Sequence, residues 1–123
     1  MQISERRVGD RLVITLGEAR LDHVIAADFR DHVLSRAAGE VTGLVLDLGS
    51  VQFMDSSGLG AVVGIRKRRG WGVRIVLAGL RSPVFRLFEL ARMTDVFTFY
   101  TSADAAVAMS GLGGYRAPRG QST

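Results

Sequence analysis

The chain of 123 residues predicts an α/β fold with a small mixed sheet of four to five strands and about four helices. Three observations carry that reading. Two segments in which valine and isoleucine alternate with polar residues open the chain, and the dipeptide "GD" between them is a short-range hairpin signal. Beyond the hairpin, short apolar runs alternate with stretches of helical period, the order that builds parallel strands joined by helical crossovers. Apolar residues make up 47% of the chain, enough for one ordinary core in a single domain.

The hairpin strands are "QISERRV" and "RLVITLG". A polar corner, "EARLDH", leads to Val24–Ala38, where Ile25, Phe29 and Val33 recur at intervals of four with Asp28, Arg30 and Asp31 between them, an amphipathic helix. "GEVTG" ends it, and "LVLDL", residues 44–48, has the continuous apolar character of a strand covered on both faces. The loop "GSVQFMDSSG" then precedes a helix carrying Leu59, Val62 and Val63. "VRIVLAG", residues 73–79, is a second buried strand. "RSPVFRLFELAR" offers Ser82 as N-cap and Pro83 as first helical residue, with Val84, Leu87, Phe88 and Ala91 on one face. "VFTFY" is a short strand, and "SADAAVAM" a last helix capped by Ser102 or Asp104. The single domain is placed at residues 1–110. Residues 111–123 hold too little apolar surface to offset their ordering entropy and are expected to form an unstructured tail.

Composition excludes several classes of function. The chain has no cysteine, which removes disulfide frameworks, thiol chemistry and cysteine-based zinc sites. His23 and His32 are its only histidines, too few for most metal or acid/base constellations. No segment approaches the ~20 apolar residues of a membrane span and no leader pattern opens the chain, so a soluble, cytoplasmic protein is expected. The net charge of +4 invites a nucleic-acid partner, but arginines scattered from Arg6 to Arg119 make no patch. The dense cluster Arg66–Trp71, "RKRRGW", falls at a helix end, where positive charge complements the dipole, and reads as a solvated C-terminus. No direct nucleic-acid binding is expected.

The stretch Phe53–Gly60, "FMDSSGLG", holds the chemistry-bearing residues. A nucleophile elbow needs glycine two residues before and two after its serine. Met54 stands before Ser56 and Leu59 after Ser57, so neither fits. A dinucleotide fingerprint built on Gly58 and Gly60 would need glycine at position 63, which is valine, and a P-loop would need lysine after Gly64, which is isoleucine. No catalytic residue, cofactor or metal is therefore assigned; Asp22, Asp47, Asp55 and Glu89 read as capping or solvated acids. Asp55, Ser56 or Ser57 can each cap the following helix, and one cap is enough. Ser56 is expected in an exposed loop just ahead of that helix, reachable by a kinase. A phosphate there adds about −1.5 to −2 charges at a helix N-terminus, where the dipole partly steadies it. Gly58 and Gly60, in the first turn, are expected to face outward, and Gly64 to pack closely on the sheet.

The stretch from "LVLDLGSVQFMDSSGLG" through "SPVFRLFELARMTDVF" resembles the STAS domain family, specifically the bacterial anti-sigma factor antagonists. The likeness runs from the "RLVITLG" strand to the last helix. It implies a small mixed sheet with helices mainly on one face, and a non-enzymatic regulator. The first serine of DSSG, here Ser56, is implied as the residue phosphorylated by a serine-kinase anti-sigma factor. On that reading the unphosphorylated chain binds this ATPase-like partner and frees a sigma factor, phosphorylation releases it, and a protein phosphatase restores it. Asp22, Asp55, Ser56, Ser57, Gly58 and Gly60 are implied as the partner-binding surface, and a homodimer is compatible with the family. One departure stands in the loop before the first helix, where "EAR" separates Gly17 from Leu21 in place of a single residue. The family's alternative role is a constitutive scaffold or accessory subunit of a stressosome-like or lipid-transport assembly.

Overall fold

The computed structural model describes residues 1–39 and 41–108; the tail anticipated at 111–123 lies outside the described residues. Strands β1 (Ile3–Val8) and β2 (Arg11–Leu16) form the antiparallel hairpin, with Val8 opposite Arg11 across the two-residue turn. Gly9 takes a φ of 64° there, a left-handed conformation that glycine adopts without steric cost and that matches the twist of hairpin strands. Three further strands, β4 (Gly43–Asp47), β6 (Arg74–Ala78) and β7 (Thr98–Tyr100), extend the sheet in parallel in the order β1-β2-β4-β6-β7. A separate parallel pair, β3 (Arg20–Leu21) with β5 (Phe53–Met54), lies between these elements in sequence. Neither of its strands is anticipated by periodicity, because two residues carry no period.

Alternation along the strands divides the interior in two. Leu12, Ile14 and Leu16 of β2, Leu44 and Leu46 of β4, Ile75 and Leu77 of β6 and Phe99 of β7 join one core. That core is closed by α1 (Ala26–Arg36), α2 (Ser56–Arg69) and α3 (Ser82–Leu90) through Phe29, Val33, Val62, Ile65, Val84 and Phe88. Phe88 meets Phe97 and Phe99 edge to face, with ring centroids 5.8 and 6.0 Å apart, a geometry favoured by the ring quadrupoles. The intervening residues Val13, Val45, Val76, Ala78 and Tyr100 face the other way and are covered by Ala103 and Ala106 of α4 (Ala103–Ala108). Three helices on one face and one on the other give the expected α/β architecture.

Local details differ from expectation at three places. Arg81, not Ser82, caps α3: its carbonyl accepts the amides of Val84 and Phe85, so the helix begins at Ser82 without a side-chain cap. Gly64 lies against α1 rather than the sheet, since a Cβ there would stand 3.5 Å from Arg30 Cδ. Arg66 is not solvated. It is 6% exposed, and its guanidinium donates to the carbonyls of Gly70 and Val73, because a 3-10 turn at Gly70–Gly72 folds the chain back under the end of α2. Burial lowers the pKa of that guanidinium from its ordinary value. Lys67 and Arg68 remain exposed. The cap of α4 is Ser102, whose Oγ accepts from the amide of Ala105 at 3.0 Å.

Candidate functional site

The pair β3–β5 builds the site. Arg20 lies opposite Phe53 and Leu21 opposite Met54, so two tripeptides, Arg20-Leu21-Asp22 and Phe53-Met54-Asp55, run side by side. Their central residues, Leu21 and Met54, are buried in the main core. Each tripeptide delivers an aspartate to the entrance of a helix, Asp22 before α1 and Asp55 before α2.

Asp55 is the N-cap of α2. Its Oδ1 accepts from the amide of Gly58 at 2.9 Å, satisfying one of the four amides that a helix start leaves unpaired. Its Oδ2 accepts from the amide of His23 at 3.1 Å, which ties the loop before α1 to the start of α2. The Gly58 amide chiefly, with those of His23 and Ser57 and the His23 ring, holds the Asp55 carboxyl below its ordinary range. Asp22 is buried. Its Oδ2 accepts from Arg20 Nε at 3.1 Å and its Oδ1 from the amide of Val24 at 3.0 Å, and the Arg20 guanidinium followed by the Val24 amide lowers its pKa. The guanidinium of Arg20 also lies 4.3 Å from the centroid of the exposed Phe53 ring, a cation–π contact.

The implied partner-binding residues therefore meet at one end of the sheet, with two corrections. Ser56 is not in a loop ahead of α2 but is its first residue, because Asp55 takes the capping role one position earlier. Ser56 remains exposed, and among the described residues no hydrogen bond engages its hydroxyl. Gly58 faces inward, not outward. A Cβ built on it would stand 2.1 Å from the carbonyl oxygen of Leu21 and 2.8 Å from Met54 Cγ, so the missing side chain is what lets α2 lie against β3. Ser57 is exposed, Gly60 is exposed as expected, and a Cβ at Gly60 would meet nothing within 4 Å.

Arg20 and Val24 complete the surface without having been singled out by sequence, together with His23, named there only as one of two histidines, and Phe53, the first residue of the FMDSSGLG stretch. Val24 and Phe53 are among the exposed large apolar side chains of the described residues, at 70% and 43%. The repeated pattern of an apolar residue followed by aspartate in "RLD" and "FMD" is the signal that marks this pairing. Among the described residues no group of three or more metal-ligating side chains converges, and no helix is long and apolar enough to cross a membrane.

Comparison with known proteins agrees with the geometry. The family model of the STAS domain matches residues 2–106. An anti-sigma-B factor antagonist of Listeria monocytogenes is 32% identical over 100 residues, covering 78% of this chain and 83% of that protein. The anti-sigma factor antagonist SpoIIAA in its unphosphorylated form superposes with a TM-score of 0.71 at 25% identity, covering 89% of this chain and 97% of its own. The phosphorylated form of SpoIIAA from Bacillus shares the fold at a TM-score of 0.66 and 24% identity, over 87% of this chain and 97% of its own. These likenesses are to regulators rather than enzymes, in keeping with the failed nucleophile and phosphate-loop spacings. Sheet order, helix placement and the matched span agree: the chain belongs to the STAS domain family.

Proposed function

We propose that the chain is an anti-sigma factor antagonist that docks on a serine-kinase anti-sigma factor through the surface around Asp22, Asp55 and Ser56–Gly60, and that phosphorylation of Ser56 releases it. The kinase transfers the γ-phosphoryl group of ATP to Ser56 Oγ, with release of ADP and the hydroxyl proton, and a phosphatase reverses the modification by hydrolysis. The carrying observation is that Asp55, not Ser56, caps α2, which leaves an exposed hydroxyl at the first helical position. A phosphate there leaves the cap intact and meets the positive end of the helix dipole, so the fold tolerates it. A docked partner does not: an uncompensated charge buried at an interface costs roughly 2–5 kcal/mol. That corresponds to about thirtyfold to a few thousandfold in affinity. The existence of SpoIIAA in unphosphorylated and phosphorylated forms supports the reading.

The test is incubation with the cognate kinase-type anti-sigma factor and ATP, mass mapping of the product, and affinity measurements on Ser56→Ala and Ser56→Asp. Phosphate on Ser56, none on Ser56→Ala, and at least thirtyfold weaker binding by Ser56→Asp are expected. Phosphate only at other positions, or an unchanged affinity of Ser56→Asp, overturns the switch. A stable large particle indifferent to ATP would instead identify a constitutive scaffold.

A further inference from the structure

We propose that His23 is the positioning partner of the phosphorylated state: its ring N–H donates to the phosphate on Ser56. The inference rests on Ser56 being the modified residue and adds the group that accommodates the modification. It starts from the backbone. The amide of His23 donates to Asp55 Oδ2, so residue 23 is held against the residue that precedes Ser56 whatever its side chain does. The ring is held only by a long contact with the same carboxylate. Its Nδ1 lies 3.6 Å from Asp55 Oδ2 and the side chain is 76% exposed, beyond the ~3.2 Å limit of a good hydrogen bond. Turning it toward a new acceptor changes only side-chain torsions.

The charges around that ring favour the pairing. Asp55 faces it from the start of α2, Asp22 from the turn into α1, and Asp28 stands in the first turn of α1. Arg20, from β3, donates through Nε to Asp22 and lies over the face of Phe53. A phosphate of about −1.5 to −2 charges adds to the Asp55 carboxylate of the preceding residue, and the helix dipole offsets only about half a charge. An imidazole ring carries an N–H that can donate to a phosphate oxygen, so residue 23 offers the free, undocked chain a donor when the phosphate arrives.

The experiment uses the full chain with phosphoserine installed at position 56 during synthesis, and follows the second ionisation of the phosphate by 31P NMR titration. A neighbouring hydrogen-bond donor or cation stabilises the dianion and lowers that midpoint. His23→Gln is expected to raise the midpoint by about half a pH unit, a roughly threefold change in proton affinity, and His23→Lys to bring it back down. Both substitutions keep the amide that holds Asp55. Coinciding midpoints in the parent and His23→Gln, or a His23→Lys midpoint as high as that of His23→Gln, overturn the proposal. Partner affinity of the phosphorylated parent is measured separately. If it matches that of the unphosphorylated chain while the 31P difference persists, the switch fails and the pairing stands; the converse removes the pairing alone.

Discussion

Replacing Gly58 by alanine asks what the contact between α2 and β3 contributes. The added Cβ would sit 2.1 Å from Leu21 O and 3.1 Å from Leu21 C, both backbone atoms that no side-chain rotation can move. The Met54 side chain, 2.8 Å away, can give way; the carbonyl cannot, so α2 and the β3–β5 pair must part by more than an ångström. Overpacking of this kind typically costs ~1–3 kcal/mol, against a helix-propensity gain for alanine of at most ~1 kcal/mol. With a backbone carbonyl as the obstacle, the upper end of that range applies and the net loss is about 2 kcal/mol. This is close to thirtyfold in the folding equilibrium, a fall of about 10 °C in Tm or roughly 1–2 M in the urea midpoint. Gly60→Ala is the matched control. It lies two residues on in the same helix with nothing within 4 Å of its Cβ, so the same substitution should stabilise by ~0.5–1 kcal/mol. Urea denaturation of both variants with a common slope reads the pair directly. If Gly58→Ala is as stable as the parent, or if both variants shift in the same direction, close packing is not the reason for glycine at position 58.

Two further outcomes follow from groups whose surroundings differ from their neighbours'. The Asp55 carboxyl is held below its ordinary value of 3.8 by the Gly58 amide first. A depressed folded-state pKa contributes stability that is present above the unfolded value and lost as pH falls through the folded one, so the deficit of Asp55→Asn in urea denaturation should be largest near neutrality and shrink below about pH 4. A deficit constant from pH 7 to pH 3 would exclude this contribution. Arg66→Ala strips the carbonyls of Gly70 and Val73 of a charged donor and should cost about 2–3 kcal/mol, whereas its exposed neighbour Lys67→Ala should stay within ~0.5 kcal/mol. Thermal melts that fail to separate the two would contradict the burial of Arg66.

The strands and helices were legible because each is long enough to show its period, and the hairpin because "GD" sits between two alternating segments. What escaped was set by packing between distant segments. Residues 20–21 and 53–54 form strands only because they pair with each other, and neither dipeptide prefers that conformation by itself. The direction Gly58 faces depends on where the helix axis lies relative to Leu21, which helical spacing alone does not define. Arg66 reads as a surface residue until the 3-10 turn at Gly70–Gly72 brings the carbonyls of Gly70 and Val73 to it. The DSSG stretch stood out as a candidate site by resemblance. Its supporting residues did not, because His23 enters through its backbone amide, which has no sequence signature.

The Asp55 carboxylate serves two amides that lie in different parts of the chain, Gly58 on one oxygen and His23 on the other. Protection of these amides from solvent exchange is therefore not independent: displacing the carboxylate exposes both, and they belong to one cooperative unit of local opening. A binding partner that competes for Asp55 loosens two stretches of backbone at once. The surface it meets responds as a single patch rather than as two adjoining loops.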